Sequence, residues 1–349
     1  MKALVAMSGG VDSSVAAALM KDGGHDVIGV TLKLWSGPNG EAPTAGCCTV
    51  SDAEDARRVA AELDIPYYVL DYTEDFSNGV VDRFVRDYAA GQTPNPCIEC
   101  NRTVKFDRLL NNLDDFDCDV LVTGHHARNH RVDGSWNLLR GTDSAKDQSY
   151  VLSMLTQHEL ERTRFPVGEL TKREVRRIAA TMGMRSAHKP ESMDICFVGQ
   201  RDYRGFLRDH APEVLEPGKV VDTEGNEMGA HRGIAEFTIG QRRGLGVAVG
   251  EPQFVIRMEP SSATVVIGDR EQLAVAGVEL QQVTWTDEQA GNGRVMAQYR
   301  AHGEPVPATL AGATLAFDEP QEAIAAGQTV AFYDEERVLG GALIASAIL

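Results

Sequence analysis

Short apolar runs alternate with helix-patterned stretches across the first third of the chain. Ala3-Leu4-Val5-Ala6-Met7 leads into Ser8-Gly9-Gly10-Val11-Asp12-Ser13-Ser14, and then into the Ala-rich run Val15-Ala16-Ala17-Ala18-Leu19-Met20. This pattern predicts a strand, a Gly-Gly turn and a helix closed by Gly23-Gly24. Asp26 to Leu32 predicts a second strand and Pro66 to Leu70 a third. Val120-Leu121-Val122-Thr123 predicts a fourth, ending at Gly124-His125-His126. Ser51, with Glu54 three residues later, reads as a capping box that opens a helix through Ala53, Ala56, Val59, Ala60 and Leu63. Strands alternating with helices imply an α/β fold with a parallel, doubly wound sheet, whose ligands sit beyond the carboxyl ends of the strands. The Gly9-Gly10 turn, Leu32-Lys33 and Gly124 all fall at such ends.

The texture then changes. Residues from about 146 to 207 read as mostly helical, with Thr171 to Met182 the clearest helix. After Pro217-Gly218 come short β-type runs such as Lys219 to Asp222, Gln253 to Ile256 and Ala263 to Ile267, separated by Gly-containing turns. A break near Asp269-Arg270 divides these from a last group around Val283 to Trp285, Arg294 to Arg300 and Val330 to Tyr333, which suggests a small barrel. The expected organisation is a catalytic domain over 1–207 that includes the helical insert, a small central β domain over 208–270, and a C-terminal β-barrel domain over 271–349.

Composition narrows the class. At 349 residues the chain exceeds one simple core, and 43% hydrophobic with 24% charged residues is ordinary for a soluble protein. No stretch approaches a membrane span, and Met1-Lys2 runs straight into the first strand without a signal-peptide pattern. A cytoplasmic protein with no membrane partner is expected. The net charge of −17 argues against a nucleic-acid partner at first sight, but the charge is unevenly spread. Lys172, Arg173, Arg176, Arg177, Arg185 and Lys189 crowd one segment that holds a single acid, Glu174. On charge alone this is a solvated helix surface first and an RNA-binding face second.

The candidate chemistry begins at the Gly-Gly turn. A strand, a glycine turn and a helix start gather backbone N–H groups at the positive end of a helix dipole, a place for phosphate. No lysine follows the glycines, so this is not a G-x-x-x-x-G-K-[ST] loop, and the G-x-G-x-x-G spacing of dinucleotide folds is absent. Ser-Gly-Gly-x-Asp-Ser resembles the pyrophosphate loop of enzymes that split ATP into AMP and pyrophosphate. The six cysteines are Cys47, Cys48, Cys97, Cys100, Cys118 and Cys196, which in a reducing compartment point to catalysis or metal binding before disulfides. Cys47 and Cys48 sit in a Gly- and Pro-rich loop and read as incidental; Cys118 begins a strand and reads as core packing. In Thr93-Pro94-Asn95-Pro96-Cys97-Ile98-Glu99-Cys100-Asn101, Asn101 is the expected cap of a helix beginning near Arg102. That would put Cys100 at a helix N-terminus, where the dipole favours thiolate. Asp194-Ile195-Cys196-Phe197-Val198 sets another cysteine in a short apolar run.

These motifs, with Gly124-His125, Lys146-Asp147-Gln148-Ser149-Tyr150, Phe165-Pro166-Val167-Gly168 and Thr238 to Gly246, follow one another in an order that resembles the tRNA-specific 2-thiouridylase family. This is a branch of the pyrophosphate-loop ATPase superfamily with an adenine nucleotide alpha hydrolase-like fold. The resemblance spans most of the chain and is weakest in the last β domain. It implies ATP-dependent replacement of the C2 oxygen of the wobble uridine by sulfur, in tRNAs for lysine, glutamate and glutamine. It further implies ATP and Mg²⁺ at Ala6, Met7, Ser8, Gly9, Gly10, Val11, Asp12, Ser13, Leu32 and Gly124, with Asp12 on the metal. The tRNA contacts it implies are Asn95, Pro96, Cys97, His125, Lys146, Asp147, Gln148, Gln298, Tyr299 and Gln328. Sulfur would arrive as a persulfide on Cys196, supplied by a sulfur-relay protein or cysteine desulfurase. Cys100 would release it, leaving a Cys100–Cys196 disulfide to be reduced.

Cys97 departs from the pattern, since many relatives carry an aspartate there, and a thiol does not repeat a carboxylate's role at neutral pH without a much lowered pKa. Cys97, Cys100 and Cys196 together form the three-thiolate set that holds a [4Fe–4S] cluster in other tRNA thiolases, a second route to the same product. Two rivals stand further off. An amide-forming ligase would leave Cys100 and Cys196 without roles, and a non-catalytic tRNA-binding protein would have no use for the Ser8–Ser14 loop. Trp35, Trp136 and Trp285 read as core packing before stacking platforms.

Overall fold

The computed structural model describes residues 1–36, 49–189, 195–198, 202–247, 250–286 and 290–349. Cys47, Cys48 and Asp194 lie outside the described residues.

The strand predicted at the start of the chain, β1 (Lys2–Ala6), is the middle of a parallel five-stranded sheet. Its neighbours are β2 (Asp26–Lys33) and β3 (Tyr67–Asp71) on one side, and β4 (Val120–Val122) and the two-residue β7 (Thr163–Arg164) on the other, in the order β3-β2-β1-β4-β7. Alternation along β1 feeds two cores. Leu4 joins an aromatic-rich cluster with Phe76, Phe84, Val104, Leu109, Phe197 and Phe206. Ala3 and Val5 face the other way, onto Val15, Ala16, Ala56, Val59, Val175 and Ala179. Helices therefore cover both faces, as a doubly wound sheet requires. Helix α1 (Val11–Asp22) and helix α2 (Val50–Glu62) lie on the second face with the basic helix Lys172–Thr181.

Two helix starts differ from the sequence expectation. Helix α2 is capped by Thr49, whose side chain accepts from the Asp52 N–H while the Asp52 carboxylate accepts from Thr49. Asp52 is buried and Ser51 exposed, so the reciprocal cap forms two residues earlier than Ser51/Glu54. The second is the cysteine segment, described below. Between 146 and 207 the helical content is in short pieces, Gln157–Glu161, Lys172–Thr181 and Tyr203–His210, joined by 3-10 turns and interrupted by β7.

A hairpin absent from the sequence reading ties the halves of the chain together. β5 (Ala127–Val132) and β6 (Ser135–Arg140) turn at Asp133-Gly134, both with positive φ, the Asp-Gly signature of a two-residue hairpin loop. β6 then pairs with the last strand, β17 (Arg337–Ile348), through Leu139–Arg337 and Leu138–Val338. The C-terminal strands β12 (Ala274–Trp285), β13 (Gly293–Gln298), β14 (Val306–Ala311), β15 (Thr314–Glu322) and β16 (Thr329–Asp334) close with β17 into a six-stranded antiparallel barrel. Its interior is filled by Val278, Leu280, Ala297, Leu310, Leu315, Val330, Phe332 and Ile344. Between the two lies a four-stranded sheet built by β8 (Gly218–Val221), β9 (Glu227–His231), β10 (Phe254–Glu259) and β11 (Thr264–Gly268), around Val220, Val255, Val265 and Ile267. No helix among the described residues is long and apolar enough to cross a membrane.

Candidate functional site

The turn after β1 is held by backbone contacts that only glycine permits. Gly9 has φ +71°, and a Cβ there would overlap the Asp52 carbonyl at the start of α2. A Cβ on Gly124, at the end of β4, would lie 2.6 Å from the Ser13 nitrogen and 2.7 Å from the Asp12 carbonyl carbon. Inside the turn the Ser13 hydroxyl accepts from the Ser8 N–H at 3.1 Å, and the Ser14 hydroxyl donates to the Gly10 carbonyl at 2.8 Å. Helix α1 has no side-chain cap, so its first amides face the turn rather than a serine or aspartate of its own. Above it opens a cavity of about 320 Å³, lined by Ala6, Met7, Ser8, Gly10, Val11, Asp12 and Ser13, with Val30, Leu32 and Leu34 on an apolar wall and Gly124 and His125 opposite.

The loop carries no cation, and the fold supplies four lysines to its cavity from elsewhere: Lys105, Lys146, Lys172 and Lys189. Lys172 Nζ meets both Asp12 carboxylate oxygens at 2.8 and 2.6 Å, and His126 Nε2 lies 3.0 Å from Asp12 Oδ1. Burial pulls the Asp12 carboxyl upward, but its hydrogen bonds with His126 and Lys172 outweigh that and hold it below its ordinary value. Lys189 donates to the Gly9 carbonyl at 3.2 Å and pairs with Asp52 at 2.6 Å and Asp55 at 2.9 Å. Asp52 is likewise held low against its burial by Lys189 and Thr49. His125 hydrogen-bonds Thr123 at 2.8 Å, and burial followed by the Lys105 charge keeps its imidazole neutral, well below the usual range. His126 is almost wholly buried, with no hydrogen-bond partner for Nδ1 among the described residues, while its N–H and carbonyl both bond Gln148. An apolar wall for a base, free amides at a helix start and a ring of ammonium groups fit a nucleoside polyphosphate.

The cysteine helix starts six residues earlier than expected. Asn95, not Asn101, is the cap: its side-chain oxygen accepts from the Cys97 and Ile98 amides at 3.1 and 3.3 Å, and Pro96 takes the first helical position. The helix then runs unbroken as Pro96–Cys100, a π-helical stretch Asn101–Arg108 and Leu109–Asn111. Asn101 instead bridges Lys105 Nζ and the Val151 carbonyl. The N-terminal position with its favourable dipole therefore belongs to Cys97, which is exposed, while Cys100 sits a turn further in, 7% exposed. Glu99 is buried between them against Arg83 and Arg102. Lys105, five residues beyond Cys100 on the same helix, already lines the nucleotide cavity. Cys100 and the half-buried Cys196 both pack against the apolar cluster that contains Leu32 and Leu34 of the cavity wall. Next to Cys196, Phe197 is locked by Phe76, Phe84 and Phe206 at 5.0–5.7 Å. Among the described residues no group of three or more histidine, cysteine, aspartate or glutamate side chains is arranged to hold a metal ion.

The residues expected to meet tRNA fall into three groups. Lys146, Gln148 and His125 line the cavity. The loop of Asn95 and Pro96 is drawn onto the barrel turn that carries Gln328, by Thr93 N–H donating to the Ala326 carbonyl at 2.8 Å. Gln328 is half-buried there, as is Tyr299, whose hydroxyl donates to Gln321 at 3.0 Å. Asp147 and Gln298 turn inward. Asp147 accepts from Arg140, the Gly141 and Ser149 amides and the Ser149 hydroxyl. Gln298, 5% exposed, accepts from Arg140 and donates to the Arg300 and Ala301 carbonyls. Arg140 itself lies 3.8 Å over the Tyr333 ring, whose hydroxyl burial pushes up to about 12. The three tryptophans are packing residues: Trp35 on Phe197 and Phe206, Trp136 under Arg164, Trp285 on Phe332.

Lys105, Lys172, Lys189, Asp52 and His126 are site residues that the sequence reading passed over. Lys172 and Lys189 stood in view as a basic segment, but nothing local says that two of its charges turn inward, across more than a hundred residues, to one loop.

Comparison with known proteins agrees along the whole length. Family models described as a tRNA methyl transferase HUP domain, a tRNA methyl transferase PRC-barrel domain and an aminomethyltransferase beta-barrel domain match residues 1–200, 204–269 and 275–344. The chain is 44% identical to the tRNA-specific 2-thiouridylase MnmA of Herpetosiphon aurantiacus, over 99% of this chain and 98% of that one. It is 46% identical to proteins of the same name from Chloroflexus aggregans, over 98% of each chain, and Moorella thermoacetica, over 98% of this chain and 99% of that one.

Proposed function

The chain belongs to the tRNA-specific 2-thiouridylase family, and from that premise we propose that it replaces the C2 oxygen of the wobble uridine of tRNA by sulfur, using ATP. A urea-like carbonyl oxygen is a poor leaving group, so it is first made a phosphate ester. The C2 oxygen bonds to the α-phosphorus of ATP, and pyrophosphate departs toward the amides of the Gly9-Gly10 turn. The observation that carries this reading is the single helix joining the two chemistries: Lys105 in the nucleotide cavity, Cys100 a turn above it, and Cys97 at its exposed start.

A persulfide on Cys196 then attacks C2, and AMP leaves with the former carbonyl oxygen. The Cys100 thiolate attacks the Cys196 sulfur, so the transferred sulfur stays on the base and the enzyme holds a Cys100–Cys196 disulfide. A thiol reductant resets it. Mg²⁺, bound with the substrate phosphates, would take Asp12 as its protein carboxylate and supply charge neutralisation there. We assign sulfur delivery to a protein persulfide donor, tRNAs for lysine, glutamate and glutamine as acceptors, and the cytoplasm as the place of action. The uridine has to leave the anticodon stack to reach the cavity, which is ordinary for single-stranded loops. Asn95, Pro96, His125, Lys146, Gln148 and Gln328, on the cavity and the adjoining barrel turn, would frame it. The descriptions of the matched family models speak of methyl transfer, a chemistry that gives neither the Ser8–Ser14 loop nor the cysteines a role.

The test is direct. With unmodified tRNA, Mg²⁺-ATP and a persulfide donor, the purified chain is expected to release AMP and pyrophosphate and to form 2-thiouridine, read by nucleoside mass spectrometry. Nucleotide cleavage without thiouridine in the presence of donor and reductant would contradict the proposal, as would thiouridine formed without ATP.

A further inference from the structure

The pyrophosphate loop has a carboxylate, three serines and two glycines but no cation of its own, and the fold brings one to its carboxylate from far along the chain. Lys172 is the first residue of the basic helix Lys172–Thr181. Its backbone is pinned twice: Thr171 and Glu174 close a capping box around the helix start, and the Lys172 N–H donates to Asp143 at 2.8 Å. From that fixed base its side chain, 12% exposed, enters the cavity and reaches Asp12 in the first turn of α1.

Resting on the reading of that cavity as the ATP site, we propose that Lys172 is a catalytic residue of the adenylation step. Its ammonium follows the charge that moves onto the departing pyrophosphate. In that step the uridine C2 oxygen bonds to the α-phosphorus while the bond from that phosphorus to the α,β-bridging oxygen breaks. The electron pair leaves on the bridging oxygen, and the uridine N3 proton passes to solvent. Nothing is oxidised or reduced. Charge thus accumulates beside the loop, where the amides of α1 offer only partial positive charge and a full ammonium is worth far more than in water. The Asp12 pair keeps the ammonium at the loop before nucleotide arrives; a polyphosphate, with greater negative charge, competes for it and releases the carboxylate.

The other charges of the segment are placed for different work. Lys189 bonds the Gly9 carbonyl, Asp52 and Asp55, and so braces the back of the turn. Arg176 donates to the Ala187 and Lys189 carbonyls, tying the helix to the chain that carries that brace. Arg173 and Arg177 are exposed. One basic helix therefore divides its charge between phosphate chemistry and the outer surface.

The experiment compares Lys172→Met, Lys172→Arg and the surface double variant Arg173→Ala/Arg177→Ala in the full chain. Pyrophosphate release is followed in a single turnover at saturating tRNA, and tRNA affinity is titrated against salt. Lys172→Met is expected to slow pyrophosphate release by about 10²–10³-fold with tRNA affinity and its salt slope within about twofold of the parent. Lys172→Arg, which keeps the charge, is expected to recover at least about tenfold of that loss. The surface variant is expected to keep the parent rate at saturating tRNA, with any effect confined to weaker tRNA binding and a salt slope lower by about one per lost phosphate contact. Pyrophosphate release within about threefold of the parent in Lys172→Met would overturn the proposal. So would a loss that Lys172→Arg shares in full. If the parent chain itself releases no pyrophosphate with tRNA and ATP, the ATP reading has failed and this assignment falls with it.

Discussion

Two kinds of backbone meet at the nucleotide cavity. On one side the turn after β1 is fixed from every direction: by the Asp52 carbonyl under Gly9, by Gly124 against Asp12 and Ser13, and by Lys189 on the Gly9 carbonyl. On the other side the cysteine helix is irregular. It opens with a short α-turn, widens into a π-helix over Asn101–Arg108, and is seated by the buried Glu99 between Arg83 and Arg102. π-Helical stretches are uncommon and gather at functional sites, because the extra residue per turn re-aims side chains. Adenylation wants donors already in place when charge develops, and a rigid turn supplies that. Sulfur transfer needs thiols that approach, react and separate, and a seat on an irregular helix suits that better. The rigid side is set by backbone and the irregular side by buried charge, so different substitutions break each.

The largest effect is expected on the rigid side. Gly9→Ala forces a Cβ into the Asp52 backbone at positive φ, and pyrophosphate release should fall by at least about 10³-fold while far-UV circular dichroism stays native. A turn that tolerates alanine would show that the loop is less fixed than its contacts imply. Next comes the seat of the cysteine helix. Glu99→Ala leaves two guanidinium groups facing each other without their shared carboxylate, and is expected to cost about 3 kcal/mol in urea unfolding. Thiolation should suffer more than pyrophosphate release. Equal losses in both would mean the helix and the loop fail as one unit. A smaller change tests the barrel's link to the site: Gln298→Ala should cost about 1–2 kcal/mol with little change in tRNA affinity, since the side chain is spent on Arg140 and two carbonyls. A large affinity loss without destabilisation would return Gln298 to the tRNA surface.

The smallest effect is in the acid limb of stability. The folded Asp52 carboxyl is held below its ordinary 3.8 by Lys189 and Thr49 despite its burial. Its stabilising contribution is therefore complete above the unfolded value and is lost as pH falls through the lower folded one. Asp52→Asn should flatten thermal stability below about pH 4 relative to the parent, and identical pH profiles would remove Lys189–Asp52 as a brace of the loop.

Legibility followed the range of the interactions. The strand, Gly-Gly turn and helix at Ala3–Met20 were readable because every signal is local. The start of the cysteine helix was misread by one cap, although Pro96 after Asn95 carries the better signal: proline suits the first helical position, and asparagine just before it completes the start. That misreading gave Cys100 the dipole position that Cys97 holds. The hairpin at 127–140 had an Asp133-Gly134 turn in plain view, yet its strands are too polar to announce themselves, and what stabilises β6 is a partner strand some two hundred residues away. Lys172 and Lys189 had no local signal at all. Their positions depend on how the basic helix lies on the second face of the sheet, which no periodicity encodes.

The central claim is that nucleotide cleavage and sulfur transfer are separate steps on one site, the first made by the loop and the second by the thiols. Cys100→Ser separates them most directly, in a single turnover with labelled ATP, unmodified tRNA and a persulfide donor. The account predicts pyrophosphate release within about threefold of the parent, with label leaving as AMP, tRNA trapped on Cys196 as a mixed disulfide and no free 2-thiouridine. Loss of pyrophosphate release together with thiolation, or 2-thiouridine formed at the parent rate without Cys100, would contradict it.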